Sequence, residues 1–363
     1  MEFKNLNIKE DLIKTLNKNG IKTPTKIQEK SIPYIQNNMD IIAEAQTGSG
    51  KTLSFLLPII NNLSNEDYIK CLILTPTREL AIQITNEALK LNENLSILSA
   101  YGGKDINSQI KKLKNNINIV IATPGRLIDH IMRKTIDLSK VETLILDEAD
   151  EMLFMGFKND IEKIMTFLPK KKQVLCFSAT IDSKVKKLAY KYMTEPVIIS
   201  TKEESIPINN ITQEVFLTSD REKFASLCEC LDKDNPFMAI IFCRTKVRVD
   251  KLEENLHKNG YNCAKIHSDI KQSKREKIMK SFRNADIQYL IATDVAARGI
   301  DVNGITHIYN YDIPENVESY IHRIGRCGRA DEKGYTCLFV SPKDESMLKQ
   351  IEEKIDFKIP KRN

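Results

Sequence analysis

Short runs of apolar, often β-branched residues alternate along this chain with amphipathic helical patterns, and no other pattern in the sequence limits the fold so strongly. The pattern at 79–91, for example, places Leu80, Ile84, Ala88 and Leu91 on one helical face. Strands that are apolar on both faces and separated by helices predict a parallel sheet covered on both sides. The first series of apolar runs occupies 40–45, 71–76, 117–124, 142–150 and 173–180.

A second series of apolar runs follows, so the sequence predicts an α/β protein with two tandem parallel-sheet domains. Between the series, the stretch 200–210 is polar, contains a proline and lacks periodicity, which is typical of a linker. We expect a first domain at 1–202, a linker at 203–210 and a second domain at 211–363. The runs of the second series are 239–244, 262–267, 289–294, 307–312 and 335–340.

Composition excludes several classes of protein. Of the 363 residues, 41% are hydrophobic and 29% charged, which is too apolar for a disordered polyelectrolyte. The net charge of +6 permits a polyanionic partner without requiring one. The eight cysteines lack the spacing of a zinc site, so we expect free thiols in a reducing cytoplasm. The N-terminus lacks a signal-peptide pattern, and the longest apolar stretch, near 53–60, is too short to cross a membrane.

The first apolar run leads into AQTGSGKT at 45–52, a phosphate-binding Walker A pattern. Glycines let backbone amides curl around phosphate oxygens, lysine supplies a charge to the β- and γ-phosphates, and a threonine hydroxyl suits Mg²⁺. The residues expected to bind nucleotide here are Thr47, Gly48, Ser49, Gly50, Lys51 and Thr52.

Two carboxylates, Asp147 and Glu148, follow a later apolar run. An Asp delivered to a sheet edge by an apolar strand can hold Mg²⁺, and the adjacent Glu can polarise an attacking water. Acidic residues are also common at helix N-termini, where the helix dipole favours them. The Walker A pattern upstream favours the catalytic interpretation.

Residues 147–150 read Asp-Glu-Ala-Asp, and the chain resembles the DEAD-box family of ATP-dependent RNA helicases over nearly its whole length. GIKTPTKIQ at 20–28 is similar to the family's Q motif, which makes Gln28 the expected adenine partner and Phe3 the expected stacking aromatic. From the residues alone, Phe3 is better interpreted as a core residue beside the first helix. Ser178-Ala179-Thr180 is similar to the motif that couples nucleotide state to strand separation through hydrogen bonds to the DEAD carboxylates.

The resemblance extends to the motifs that contact the RNA backbone in the first domain. These are PTREL, a Gly-Gly pair and TPGR, which offer hydroxyls, amides and two guanidinium groups to phosphate oxygens. Each is weak alone because such residues are also ordinary turn formers. The residues implied are Pro76, Thr77, Arg78, Gly102, Gly103, Thr123, Pro124, Gly125 and Arg126.

The second domain carries the remaining family motifs. Four motifs stand in the family's order: IFCRTK at 241–246, the Gln272 and Arg275 pair, TDVAARGID at 293–301 and HRIGRCGR at 322–329. The resemblance implies that RNA is touched or positioned by Arg244, Arg275, Thr293 and Asp294. It implies that Gly299 and Asp301 lie near the ribose and that Arg326 and Arg329 are arginine fingers. His322 and Asp150 are implied to couple ATP hydrolysis to strand separation.

The resemblance implies two RecA-like domains, with ATP and Mg²⁺ as cofactors. It also implies that RNA is bound without sequence preference. We therefore expect a cytoplasmic, monomeric enzyme that hydrolyses ATP when stimulated by RNA and locally unwinds or remodels RNA; the sequence carries no signature of a particular protein partner. Three alternatives stay open: a DNA-directed motor, an ATP-gated RNA clamp with little unwinding, and an ATP-binding metabolic enzyme. The second-domain motifs have no explanation under the last.

Overall fold

The structure is a computed structural model that describes residues 2–45, 48–63, 67–201, 211–297, 300, 302, 304–328 and 333–362. The chain divides into two compact units, Met1–Ser205 and Ile206–Asn363. Each unit is an α/β domain built on one parallel sheet, as the alternation of apolar runs and helical patterns predicts.

The first unit has a seven-stranded sheet in the order β3-β4-β2-β5-β6-β1-β7, and every pairing in it is parallel. Five of its strands lie within the predicted runs, whereas β3 and β7 lie outside all of them. The strands are β1 (Ile41–Glu44), β2 (Cys71–Leu74), β3 (Ile97–Ala100), β4 (Ile119–Ala122), β5 (Thr143–Leu146), β6 (Gln173–Ser178) and β7 (Val197–Ser200).

Helices cover both faces of this sheet. Successive residues of β1 point to opposite faces: Ile41 and Ala43 enter one apolar cluster and Ile42 enters the other. A 3-10 helix at Phe3–Leu6 precedes the first α-helix. The helices are α1 (Glu10–Lys18), α2 (Lys26–Gln36), α3 (Lys51–Asn61), α4 (Arg78–Leu91), α5 (Ile106–Leu113), α6 (Pro124–Met132), α7 (Ala149–Phe154), α8 (Lys158–Met165) and α9 (Ser183–Tyr192).

The second unit has a six-stranded parallel sheet in the order β10-β11-β9-β12-β13-β8. Along β9, Ala239 and Ile241 enter one cluster, while Ile240 and Phe242 enter the other, so this sheet is also covered on both faces. Its strands are β8 (Ile211–Leu217), β9 (Ala239–Phe242), β10 (Cys263–Ile266), β11 (Tyr289–Ala292), β12 (His307–Asn310) and β13 (Gly334–Val340).

Six α-helices complete the described part of the second unit, together with a 3-10 helix at Pro342–Asp344. Near the C-terminus, Lys361 forms a parallel bridge with Val215 of the edge strand β8. The helices are α10 (Lys223–Asp234), α11 (Lys246–Lys258), α12 (Gln272–Arg283), α13 (Asp294–Ala297), α14 (Val317–Ile324) and α15 (Glu345–Ile355).

Candidate functional site

The strand order of the first unit sorts its motifs into two groups along one sheet edge. The Walker A, DEAD and Ser-Ala-Thr segments follow β1, β5 and β6, which are neighbours in the sheet. The PTREL, Gly-Gly and TPGR segments follow β2, β3 and β4, which are also neighbours. Ligands of parallel sheets bind beyond the carboxyl ends of strands. We therefore call the first group the nucleotide half of this edge and the second group the RNA half, after the ligands that the sequence predicts for them.

The Walker A segment forms a cradle of backbone amides at the start of α3. Gly48 and Gly50 have φ angles of 85° and 90°, and Gly50 is the N-cap residue of this helix. Its last residues, Lys51 and Thr52, open the helix, while Thr47 lies outside the described residues. Exposed amides and the helix dipole make such a turn suitable for phosphate.

Lys51 is the most informative side chain in this cradle. It is only 7% exposed, and its Nζ finds no hydrogen-bond partner among the described residues. A buried ammonium group without a partner is costly, because burial removes the water that would stabilise its charge. The arrangement therefore fits an anionic ligand, and the phosphates of a nucleotide have the required charge.

Gln28 lies directly against the cradle. Its Oε1 accepts a hydrogen bond from the backbone N–H of Thr25 at 2.9 Å, and its Nε2 donates to the carbonyl of Gly50 at 3.0 Å. A Cβ at position 50 would lie 2.5 Å from that Nε2, so the contact requires glycine. Since a carboxamide has two N–H groups and two lone pairs, one of each stays available for an adenine edge.

The structure places Phe3 in the apolar core of the first unit. The residue belongs to the 3-10 helix and is 2% exposed. This is the packing role that the residues alone favoured. Stacking on adenine remains a prediction from the resemblance.

Asp147 is buried at the end of β5 beside the cradle. Burial raises the pKa of its carboxyl to about 7, the nearby Lys51 charge lowers it, and the neighbouring Glu148 raises it. Glu148 has a left-handed backbone with a φ of 52° and is partly exposed. One carboxylate is thus held inside the site, while the next faces solvent, where a water molecule can reach it.

The Ser-Ala-Thr segment binds directly to the DEAD segment. Oδ2 of Asp150 accepts hydrogen bonds from the N–H and the hydroxyl of Thr180, at 2.9 Å and 3.0 Å. The backbone N–H of Asp150 donates to Oγ of Ser178 at 3.2 Å, and that hydroxyl donates to the Thr180 carbonyl at 2.7 Å. The ends of β5 and β6 are therefore joined by side-chain hydrogen bonds.

The nucleotide half also contains Glu87, which the sequence analysis did not single out. Burial raises the pKa of this carboxyl, and side-chain hydrogen bonds with Gln83 and Thr52 oppose the effect. The Gln83 bond measures 3.2 Å. The negative charge of Glu87 also acts on Asp147. No sequence signal identifies Glu87, because it lies on one face of α4 among ordinary helical residues.

The RNA half brings its three motifs into contact. Thr77 caps α4 by accepting the Leu80 N–H at 3.2 Å, and Arg78 follows it. A Cβ at Gly102 would lie 3.2 Å from the Arg78 guanidinium. Arg126 donates to the carbonyl of Lys104 at 3.0 Å. The remaining predicted residues of this half are Pro76 before the Thr77 cap, Gly103 with a φ of 87°, Thr123 as the N-cap of α6, and Pro124 and Gly125 in its first turn.

In the second unit, the predicted RNA residues differ in accessibility. Arg244 is exposed at the end of β9; its N–H donates to Asp312 at 3.0 Å and its Nη2 to the Ile313 carbonyl at 3.2 Å. Arg275 is 6% exposed and donates to the His267 carbonyl at 3.3 Å. Its burial favours a role in positioning the loop after β10.

Asp294 forms an ion pair with Arg323 that the sequence analysis missed. The guanidinium Nε and Nη2 of Arg323 lie 2.5 Å and 2.7 Å from the two carboxylate oxygens. Arg323 is 2% exposed, and its Nη1 donates to Asn310 and to the Asp312 carbonyl. The pair ties the motif at 293–301 to the motif at 322–329, and partly exposed Thr293 precedes it.

Arg326 is folded against its own unit. It is 5% exposed, and it donates to the carbonyls of Ile300 at 3.1 Å and His322 at 3.3 Å. The predicted residues Arg329, Gly299 and Asp301 lie outside the described residues. Cys327 beside it is 1% exposed and burial raises its pKa to about 12, which disfavours the reactive thiolate.

Two family models match the chain. The model described as DEAD/DEAH box helicase matches residues 25–188, and the helicase conserved C-terminal domain matches residues 222–331. The chain is 45% identical over 354 residues to the DEAD-box ATP-dependent RNA helicase CshA of Bacillus subtilis. That match covers 97% of this chain and 72% of the relative.

Solved structures give the same result. A crystal structure of a DEAD box protein from Methanococcus jannaschii is 44% identical, with a TM-score of 0.57, over 100% of this chain and 99% of that one. The S. cerevisiae protein Dbp5 bound to RNA and ADP BeF3 is 28% identical with a TM-score of 0.90, over 99% of this chain and 95% of that one.

Proposed function

This chain belongs to the DEAD-box family of ATP-dependent RNA helicases, and we propose that it hydrolyses ATP when stimulated by RNA and locally unwinds or remodels RNA duplexes or RNA–protein complexes. The observation that carries the proposal is the buried ammonium of Lys51, which has no hydrogen-bond partner within the described part of the chain. It lies near Asp147, in the same nucleotide half as the Asp150–Thr180 hydrogen bonds. A phosphate site and a link from that site to a neighbouring strand are both needed for ATP-driven work.

In the nucleotide half, each residue is proposed to do what its chemistry allows. Thr47, Gly48, Ser49 and Gly50 direct backbone amides at phosphate oxygens, and Lys51 neutralises their charge. The free N–H and lone pair of Gln28 recognise the adenine edge. Thr52 and Asp147 are the residues that would hold Mg²⁺, which when bound supplies positive charge to the phosphate oxygens.

For hydrolysis, Glu148 is proposed to orient a water molecule and accept its proton as the water oxygen attacks the γ-phosphorus. The bond to the bridging oxygen of ADP then breaks. Arg326 and Arg329 are proposed to stabilise the negative charge on the transferred phosphoryl group, an effect worth roughly 10³ to 10⁵ in rate in such enzymes. Residues of both units are therefore expected to be essential for turnover.

RNA binding is proposed to use the sugar–phosphate backbone. Arg78, Arg126 and Arg244 provide guanidinium groups for phosphate oxygens, and the amides of Gly102 and Gly103 can approach the backbone closely. Such contacts do not read bases, so binding is expected to be independent of sequence and selective for RNA through the 2′-hydroxyl. The bound RNA in the related Dbp5 structure supports this proposal.

A cytoplasmic location is proposed from the chemistry of the cysteines. All eight cysteines are free thiols, which suits a reducing cytoplasm. None of the helices in the described part of the chain has the length and apolar character that a bilayer span demands. A monomer is proposed, and sedimentation at micromolar concentration would test it.

The decisive experiment compares ATP hydrolysis without nucleic acid, with single-stranded RNA and with DNA of matched sequence, for the wild type and Glu148→Gln. We expect RNA to stimulate hydrolysis and DNA to do so far less. We expect Glu148→Gln to abolish turnover while retaining ATP binding. The matched control is Glu142→Gln, because Glu142 is an exposed glutamate before the same strand, β5, whose other end carries Glu148.

Strand separation of a short RNA duplex, measured alongside, distinguishes the helicase from an ATP-gated clamp. Unwinding that requires ATP supports the helicase. ATP-dependent RNA retention without strand separation would favour the clamp, and equal stimulation by DNA would contradict RNA selectivity.

A further inference from the structure

Two buried polar side chains, Gln109 and His130, face each other beneath the RNA half of the first unit. Gln109 is 3% exposed and His130 is fully buried. The imidazole Nε2 lies 2.9 Å from Oε1 of Gln109. Neither residue belongs to a motif discussed above, although each lies on the helix that follows one.

Gln109 is connected to the Gly-Gly loop. Its Nε2 donates to the carbonyl of Tyr101 at 3.2 Å, and Tyr101 immediately precedes Gly102 and Gly103. A backbone carbonyl can only accept, so this bond fixes the orientation of the carboxamide and turns Oε1 toward the imidazole. The loop is thereby bonded through Gln109 to a side chain of another helix.

His130 lies on the TPGR helix, α6, whose first turn carries Arg126. Because Oε1 of Gln109 can only accept, Nε2 of His130 donates, and a neutral imidazole then accepts through Nδ1. The hydroxyl of Thr135 lies 2.9 Å from Nδ1 and 3.1 Å from the His130 carbonyl. That carbonyl already accepts the backbone N–H of Thr135 at 3.0 Å, so the single hydroxyl proton can be donated to Nδ1. Every polar atom of this chain of hydrogen bonds has a partner, which gives it one defined geometry.

We propose that Gln109 and His130 are positioning residues that hold the Gly-Gly loop and the TPGR helix at the spacing required by an RNA backbone. The Arg126 bond to the Lys104 carbonyl joins the same two segments at the surface. The buried pair and this surface bond therefore fix the two segments relative to each other in two places. The inference rests on the proposed function, because it assumes that these motifs bind RNA.

The test uses Gln109→Leu, His130→Leu and the conservative His130→Gln in the full chain. A glutamine at 130 can place its amide nitrogen near the position of the imidazole Nε2 and still donate to Gln109. We expect both leucine variants to raise the RNA concentration for half-maximal ATPase about tenfold. The loss of a buried hydrogen bond changes an equilibrium constant by roughly that factor. We expect His130→Gln to stay within about threefold of the wild type and the affinity for a fluorescent ATP analogue to be unchanged.

Gln173→Leu is the matched control. Gln173 is another buried glutamine of the same unit, and its Nε2 donates to the carbonyls of Ile35 and Met39 at 3.0 Å and 2.9 Å. It begins β6, at the end of the strand opposite to the RNA motifs. Its loss should lower the melting temperature without changing the RNA concentration required.

The outcomes separate this inference from the proposed function. If RNA does not stimulate the wild type, the proposed function fails and the inference fails with it. If RNA stimulates the wild type but Gln109→Leu and Gln173→Leu require the same RNA concentration, only the inference is wrong. Should a leucine variant fail to fold, the His130→Gln variant decides. If that variant is folded but needs as much RNA for half-maximal ATPase as we expect of the leucine variants, the inference is also wrong.

Discussion

Asp150 and Thr180 are joined by two hydrogen bonds to a single carboxylate oxygen, one from the threonine N–H at 2.9 Å and one from its hydroxyl at 3.0 Å. The first residue follows β5 and the second follows β6, so the bonds connect the ends of two neighbouring strands in the nucleotide half. A movement of the DEAD segment at Asp150 would therefore act on the end of β6 through these bonds.

Thr180→Val should therefore uncouple unwinding from hydrolysis. Valine retains the backbone N–H bond and loses the hydroxyl bond, a change of about 1 kcal/mol in a typical case. We expect RNA duplex unwinding to fall at least fivefold and RNA-stimulated ATPase to fall less than twofold, measured on the same preparation. Thr166→Val is the control, since that hydroxyl donates to the Lys163 carbonyl of its own helix end. Equal losses in both activities would contradict the coupling role.

Asp147→Asn should stabilise the nucleotide-free protein while abolishing ATPase. The pKa of Asp147 is about 7 in the folded state and near 3.9 in the unfolded chain. The folded state therefore holds the proton of this carboxyl more tightly than the unfolded chain does. Ionisation of Asp147 opposes folding progressively as pH rises from about 4 to 7. We expect the melting temperature to rise by several degrees at pH 8 and by less at pH 5.

Differential scanning calorimetry at both pH values checks this prediction. Asp67→Asn serves as the control, because Asp67 is exposed. An increase that is the same at pH 5 and pH 8 would show that ionisation of Asp147 is not the cause.

Asp294→Asn should destabilise the second unit. The substitution leaves the Arg323 guanidinium, which is 2% exposed, without its bidentate partner. Removing one partner of a buried ion pair costs about 3–5 kcal/mol. Urea denaturation of Asp294→Asn should show a lower midpoint than that of the wild type. Glu254→Gln is the control and should leave the midpoint unchanged, because the Lys258–Glu254 pair is exposed. If RNA affinity fell while the midpoint stayed constant, Asp294 would instead be a direct RNA contact.

Acidification should weaken the first unit through His130. Burial lowers the pKa of this imidazole, the charges of Arg126 and Arg133 lower it further, and Asp129 opposes them. The unfolded chain thus binds a proton near pH 6.5 that the folded chain does not. The contribution of neutral His130 to the free energy of unfolding is therefore fully present above pH 6.5 and falls as pH drops below it. One such group contributes at most about 1.4 kcal/mol for each pH unit.

The measurement is the urea midpoint at pH 7.5 and pH 5.5. His130→Gln should lose less of its midpoint on acidification than the wild type does. His257→Gln, which changes an exposed histidine of α11, should behave as the wild type. A wild-type pH dependence that His130→Gln leaves intact would assign the effect to other groups.

Local sequence patterns were sufficient to predict the two α/β units, because apolar runs and helical periodicity depend on neighbouring residues. They predicted β1 and β2 almost to their ends, and the Walker A pattern located the phosphate cradle. They missed β3, β7 and β8, because each of these strands has exposed or partly exposed positions, whereas every residue of β1 and β2 is buried. The four residues of β3, for example, alternate between partly exposed and buried positions.

By itself, then, the sequence determined the fold class, the order of the motifs and the chemistry of each motif. Only the tertiary structure decided which motifs are neighbours, because the order of strands in a parallel sheet depends on crossover connections between distant segments. That order joins Asp150 to Thr180 and places Gln109 against His130, and it pairs Asp294 with Arg323 across 29 positions of the chain. A hydrogen bond forms where two groups meet in space, and spacing along the chain does not contain that information.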